Sequence, residues 1–269
     1  MTRTTLKTAL DVRLASRAGE LKAPTAGLCP AHVQANLLII PKKYAEDFRG
    51  LCKRNPVSCP LLGENIAHGN PQIDPSLAKD GDVTTDAPGY NVYLDGKPVA
   101  EDQLDCKEWW TEDSVAFLIG CSFTFEQALT DAGLMPRHQE LGKNVPMYKS
   151  NIALFPSGIF SGNMVVSMRP YPLEDIERVR DITRPYIQAH GEPVAWGKDA
   201  AKRLGISDIY KPDFGDAPVL KEGEVPVFWG CGVTPQLVAM SSPDLKGIAI
   251  GHAPGKMLCL DLLIKDMDQ

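Results

Sequence analysis

Two stretches of the chain carry the same arrangement of small, polar and sulfur-bearing residues: Gly120-Cys121-Ser122-Phe123-Thr124 and Gly230-Cys231-Gly232-Val233-Thr234. Each follows an apolar run that reads as a strand, and each precedes a helical pattern. A helix that starts this way presents unpaired backbone N–H groups at the positive end of its dipole. Such an end takes an anion, and a carboxylate fits it. One end contributes only ~0.3–2 kcal/mol, depending on burial. Two ends converging on one ligand, with an arginine nearby, would suit a dicarboxylate. Gly120, Ser122, Thr124, Gly232 and Thr234 are therefore candidate substrate-binding positions. Thr124 with Gln127 reads as a capping box, and Thr234 before Pro235 as a second helix start. The plain alternative is a pair of ordinary strand-to-helix connections, with Thr as cap and Cys as filler.

The sulfurs raise a separate possibility. A cysteine at a helix N-terminus can have a lowered pKa. Cys121 or Cys231 is thus a candidate nucleophile, with His252 as base, although no local Cys/His signature supports this. His252 ends a predicted strand in Gly251-His-Ala-Pro-Gly255 and titrates in a useful range; it is a candidate proton-transfer group or a turn residue. Lys256 follows the same turn. Arg169 ends the apolar run of Val165-Val-Ser-Met-Arg169, and its fork matches a carboxylate. Asp86 follows a long polar stretch and is a candidate base. Gln34 and Asn36 alternate with apolar positions, so they share one strand face. With Thr25 and Tyr148 they complete the candidate pocket. His32, His68, His138 and His190 lack metal-ligand spacing and read as structural or exposed, so no metal or other cofactor is expected.

The elements that must hold these residues follow from periodicity and breakers. Residues 4–18 have helical spacing. Residues 33–40 read as a buried strand and 42–53 as a helix ended by Asn55-Pro56. Residues 62–88, rich in Gly, Asn, Asp and Pro, read as a long irregular loop. Asp95-Gly96 marks a hairpin. Residues 145–154 and 164–169 read as strands, 173–188 as a helix that Pro185 shortens or kinks, 193–196 as a strand and 198–204 as a short helix. Residues 225–229, 247–251 and 257–263 are strands, with a helix at 235–240. No long repeat of the solenoid kind is visible. The expected class is α/β, a three-layer αβα sandwich with a smaller two-layer α+β unit. Residues 1–144 and 225–269 would form the main domain, with 145–224 inserted as the smaller one.

Composition narrows the function classes. The 269 residues are 43% hydrophobic and 23% charged, with a formal net charge of −6, which are ordinary globular values. The absence of a basic block argues against nucleic acid. No apolar run reaches the roughly 18–20 residues of a membrane span. Arg3, Lys7, Arg13 and Arg17 faintly suggest a transit peptide, but Asp11 and Glu20 oppose it. The seven cysteines are irregularly spaced and read mostly as reduced core thiols, pointing to the cytoplasm. P-loop, dinucleotide-binding, serine-hydrolase and zinc-protease motifs are absent. A small amino or dicarboxylic acid is the expected partner, and a homodimer is allowed.

Eight segments together resemble one family. They are Pro24-Thr-Ala-Gly27, Val33-Gln-Ala-Asn36, Asn55-Pro with Cys59-Pro-Leu-Leu62, Phe117-Leu-Ile-Gly-Cys-Ser122, Asn144-Val-Pro-Met-Tyr148, Val166-Ser-Met-Arg-Pro170, Pro226-Val-Phe-Trp with Cys231-Gly-Val-Thr-Pro-Gln236, and His252-Ala-Pro-Gly255. In this order, over nearly the whole chain, they resemble the D-glutamate cyclase family, whose bacterial members carry a hydro-lyase label. Ala23 stands where the family has Gly, and Lys256 where members often have a second His. The resemblance implies closure of D-glutamate to 5-oxo-D-proline with loss of water, or a related hydro-lyase reaction, on the two-part α/β architecture above. A cysteine-dependent hydrolase or transferase, and a non-catalytic amino-acid-binding module, are the alternatives.

Overall fold

Pro41 and Pro172 each end a ten-residue strand and lead into a short 3-10 turn. Proline cannot donate to a ladder, and its fixed φ suits a chain entering a helix. The two prolines mark equivalent points in a fold that uses one unit twice. The computed structural model describes residues 6–267; Arg3 and the first residues of the predicted 4–18 helix lie outside that range.

The elements run α1 (Ala9–Arg17), β1 (His32–Pro41), α2 (Ala45–Arg54), β2 (Leu61–Ala67), β3 (Asn70–Ile73), β4 (Tyr90–Leu94), β5 (Lys97–Gln103), β6 (Ser114–Gly120), α3 (Phe123–Asp131), α4 (Arg137–Glu140), β7 (Met147–Ala153), β8 (Asn163–Pro172), α5 (Ile176–Thr183), β9 (Ala195–Trp196), α6 (Ala200–Arg203), β10 (Glu224–Gly230), α7 (Val233–Ser241), β11 (Ile248–His252) and β12 (Leu258–Leu263). One sheet has the order β3-β2-β6-β1-β11-β4-β5, with β12 also paired to β1. The other has the order β7-β8-β10-β9. The α/β class is as expected, but the named strand pairs are antiparallel. The rule that ligands sit beyond the carboxyl ends of parallel strands therefore does not carry over.

The repeated unit is strand, 3-10 turn, helix, strand, strand, helix. Its first copy is β1, Lys42–Tyr44, α2, β2, β6, α3; its second is β8, Leu173–Asp175, α5, β9, β10, α7. In the first sheet β6 lies between β2 and β1, and in the second β10 lies between β9 and β8. Even the register agrees, with Gly120 opposite Ala35 and Gly230 opposite Val166.

Burial follows the same logic. Alternate residues of a strand face opposite sides, and two apolar cores result. One takes Ala35, Leu37, Leu118 and helix α3 from the first copy, with Ile176, Val179, Val227 and Trp229 from the second. The other takes Leu38, Phe48, Phe117 and Ile119 from the first, with Val166, Met168, Phe228 and helix α7 from the second. Exchanging the copies exchanges the cores, as a two-fold axis between them would. Each fully buried large side chain stabilises by about 1.5–3 kcal/mol, so neither copy has a complete core without the other.

Three expectations change. Residues 62–88 are not wholly irregular: β2 and β3 occupy part of that stretch. β3 is a short polar edge strand, and β2 carries Gly63, Glu64 and Asn65 at its centre, so neither shows apolar alternation. The predicted 173–188 helix is regular only over α5, with 3-10 turns on either side. Strand β10, assigned from sequence to the larger unit, pairs with β8 and β9 in the smaller sheet. An apolar run shows that a strand is buried but not which sheet buries it.

Candidate active site

The two Gly-Cys turns meet. Asn36, on β1, sits between them: its Nδ2 donates to Gly120 O at 3.0 Å and Ile119 O at 3.3 Å. On its other side lies Gly232, where a Cβ would come 1.8 Å from the same Nδ2. Glycine is thus required there by the approach of a side chain from the other copy. Gly120 is required likewise, since a Cβ on it would lie 1.7 Å from Gln188 O. Cys121 and Cys231 fall in one buried cluster with Phe123, Val145, Val165 and Met257. The half-buried Ala26, Phe214, Val233 and Leu237 pack against this cluster.

The helix starts differ from the expected caps. Ser122 and Gly232 occupy the cap positions of α3 and α7, and neither helix has a side-chain cap bond. Thr124 and Thr234 lie inside the first turn. Thr124 Oγ1 accepts from Gln34 N at 3.2 Å, and Thr234 Oγ1 from Val165 N at 2.9 Å. Each threonine therefore ties its helix to the strand neighbouring the turn, at equivalent places in the two copies.

Arg169 is fully buried and its donors are already engaged. Its Nε donates to Glu126 Oε1 at 2.8 Å, its Nη1 to Ser167 Oγ at 3.1 Å and its Nη2 to Ser122 Oγ at 2.9 Å and to Glu126. Phe125 and Trp229 lie against the guanidinium plane. Burial would raise the Glu126 pKa, but His138 and Arg169 outweigh it and bring it to about 2. His138 Nε2 lies 3.2 Å from Glu126 Oε1. The arginine expected to hold a substrate carboxylate instead holds a protein carboxylate, and through Ser122 it pins the α3 turn.

His252 is buried at the end of β11. Its Nδ1 is 2.8 Å from Ala253 O and its Nε2 3.0 Å from Asn36 Oδ1. Burial lowers its pKa to about 4, against the pull of the Ala253 carbonyl. One residue earlier, a Cβ on Gly251 would lie 2.3 Å from Gln236 Nε2 of α7, so α7 packs directly on this strand end.

The cysteines do not show the lowered pKa expected of a nucleophile at a helix start. Burial pushes the Cys121 thiol well up and the Cys231 thiol up to about 11, more than the Phe123 and Val233 amides offset. All seven cysteines are buried and unbridged.

Several predicted residues lie elsewhere. Asp86 is bound by Arg17 at 2.6 Å and sits 3.5 Å from Arg13 Nε, so it anchors α1. Lys256 pairs with Asp102. Tyr148 packs against Phe228 and donates to Ile209 O. Thr25 and Gln34 brace the loop beside the turns: Thr25 Oγ1 accepts from Met257 N at 3.0 Å, and Gln34 Nε2 donates to Thr25 O and Leu28 O at 3.1 Å. Gln34 Oε1 is buried without a partner. Glu126, His138, Ser167 and Gln236 were missed. Glu126 had a signal, being a carboxylate amid Phe123, Phe125 and Leu129, all buried. Among the described residues no group of three His, Cys, Asp or Glu side chains is placed to hold a metal, and no helix is long and apolar enough to cross a membrane.

The fold is α/β, and the two turns join at Asn36 and His252 beside a buried apolar cluster. Comparison with known proteins is consistent with that. Residues 115–261 match the D-glutamate cyclase family. A Schizosaccharomyces pombe protein named "Putative hydro-lyase" is 53% identical over 88% of this chain and 79% of its own. A Bordetella pertussis protein bearing the same designation is 50% identical over 94% of this chain and 89% of its own. A third, from Rubrobacter xylanophilus, is 49% identical over 94% and 95%. The chain belongs to the D-glutamate cyclase family.

Proposed function

We propose that this protein is a hydro-lyase that closes D-glutamate to 5-oxo-D-proline at the junction of the two turns. The observation that carries the reading is the meeting of two helix starts around Asn36, with His252 directly behind it. Family membership supports the reaction class.

The chemistry suits such a place. The substrate's amine attacks its own distal carboxyl carbon, a C–N bond forms, and a C–O bond breaks to release water. Two protons leave the nitrogen and end on the departing oxygen, so no outside acid or base is consumed. The ring closure is intramolecular, and holding the chain in a folded shape supplies much of the acceleration. The barrier lies in the tetrahedral oxyanion and in the poor leaving oxygen. Backbone N–H groups at a helix start stabilise such an oxyanion without reorganising. The α7 start is the better candidate, since Gly232 has no side chain and Val233 is half-buried, whereas Ser122 is tied to Arg169. His252 Nε2 would give a proton to the departing oxygen once substrate takes the place of Asn36 Oδ1. Arg169 and Glu126 keep the α3 turn fixed.

The test is direct turnover. Purified protein incubated with D-glutamate should form 5-oxo-D-proline, measured by chiral chromatography, and His252→Gln should lose that activity while remaining folded. Equal rates for His252→Gln and wild type would sink the assignment. Tight binding of D-glutamate without product would favour a binding module.

A further inference from the structure

The hydrogen bonds around His252 do not close for a neutral ring. Ala253 O can only accept, so Nδ1, at 2.8 Å, must carry a proton. Asn36 turns its Nδ2 to two carbonyl oxygens, at 3.0 and 3.3 Å, and therefore its Oδ1 to His252 Nε2, at 3.0 Å. Nε2 then faces an acceptor as well. A neutral imidazole has one N–H and one lone pair. With the proton on Nδ1, two lone pairs meet at Asn36. With it on Nε2, they meet at Ala253. Reversing the Asn36 amide only moves the conflict, since its oxygen would then face Ile119 O and Gly120 O. Only the doubly protonated ring satisfies every contact, and burial opposes that charge.

The surroundings offer little relief from this conflict. The titratable groups on neighbouring elements are Tyr90, opposite His252 on β4, the thiols of Cys121 and Cys231 at the turns, and Lys256 beyond the strand end. Burial keeps the tyrosine and both thiols neutral, and the Lys256 ammonium is taken by Asp102. Arg169 is neutralised by Glu126. Among the described residues the junction therefore has no free counter-charge for an imidazolium, and an anion at the turns would supply one.

We propose that Asn36 is the positioning residue for His252, and that an anion arriving at the two turns binds together with a proton on that ring. This rests on the turns being the ligand site, as in the functional reading above. It adds that ligand binding and ring protonation are one linked event, with Asn36 as the link. The reacting carboxylate, or the oxyanion it becomes, then brings the proton it needs into the site.

The experiment uses the full chain with ¹⁵N-labelled histidine and glutarate, a dicarboxylate that cannot cyclise. The His252 ring resonances, assigned through His252→Gln, are followed from pH 3.5 to 8 with and without glutarate. Glutarate should raise the titration midpoint of His252 by about one unit or more. Calorimetry in two buffers of different ionisation heat should show proton uptake on binding. Asn36→Leu should remove the coupling, and Asn36→Asp should raise the midpoint without any ligand. Should Asn36→Leu fail to fold, wild type and Asn36→Asp decide the matter. A wild-type ring that stays neutral with Nε2 bare when glutarate is bound, or whose midpoint does not move with glutarate, overturns the proposal. Turnover of D-glutamate is a separate readout. Coupling without turnover would defeat the cyclase reading alone, and turnover without coupling would defeat this one alone.

Discussion

Asn36 and Gly232 fit together across the two copies of the fold: a Cβ on Gly232 would lie 1.8 Å from Asn36 Nδ2. Gly232 belongs to the second copy and Asn36 to the first, so the contact forms only when both are folded against each other. Gly232→Ala should displace Asn36 from Gly120 O and move the α7 start. The expected result is a stability loss of about 1–3 kcal/mol and a fall in turnover of about a hundredfold. Urea unfolding and D-glutamate turnover check the two parts.

Arg169 should matter more for stability than for ligand binding. Arg169→Met strands the Glu126 carboxylate in a closed interior, a change that typically destabilises by about 3–5 kcal/mol. Adding Glu126→Gln should restore most of the loss. If Arg169→Met alone were as stable as wild type, the strut role would be wrong.

Thr124 and Thr234 should behave as a pair. Each accepts a buried backbone N–H, from Gln34 and Val165 respectively. Replacing either with Val leaves that N–H unsatisfied, at a cost of about 1–3 kcal/mol. Amide hydrogen exchange should rise at Gln34 in one variant and at Val165 in the other. Unequal or absent effects would count against the equivalence of the two copies.

Acid should destabilise the protein in two windows. Burial lowers the His190 pKa from 6.5 to about 4, so below pH 6.5 the unfolded chain takes up a proton that the folded chain refuses. Stability is therefore full above 6.5 and falls as pH drops towards 4, by about 3 kcal/mol for this residue. Glu126, lowered from 4.5 to about 2, adds a second loss below 4.5. His252, lowered to about 4 by burial as well, adds to the first window. Denaturant midpoints between pH 8 and 4 should show that window, and His190→Asn should reduce it by about half.

The thiols should prove inert. With both held neutral by burial, Cys121 and Cys231 should resist alkylation until the protein unfolds. Cys121→Ala and Cys231→Ala should keep turnover within severalfold of wild type. Complete loss in either, with the fold intact, would restore the nucleophile reading.

Much of this protein was legible in its residues. The two Gly-Cys turns, the strand ending at Pro41, the Asp95-Gly96 hairpin and the helix after Gly230 all follow from local chemistry: which residues turn, which break a helix, and which alternate. Asn36 and His252 were each legible as candidates, Asn36 by its alternation with apolar positions and His252 by its place at a strand end, but their contact was not. The sequence could not show that the halves repeat. Apolar residues replace one another freely in a core, as Leu37 and Met168 do, and β3 to β5 interrupt the spacing of the first copy. Nor could it name partners. A lone Arg in an apolar strand must be neutralised, but Glu126 rather than a ligand does so because α3 and β8 pack together. Asp86 belongs to two arginines of α1 for the same reason. Local sequence sets what each segment buries. Which buried polar groups meet is decided by packing between segments far apart in the chain, and that was settled only when the two copies closed on one another.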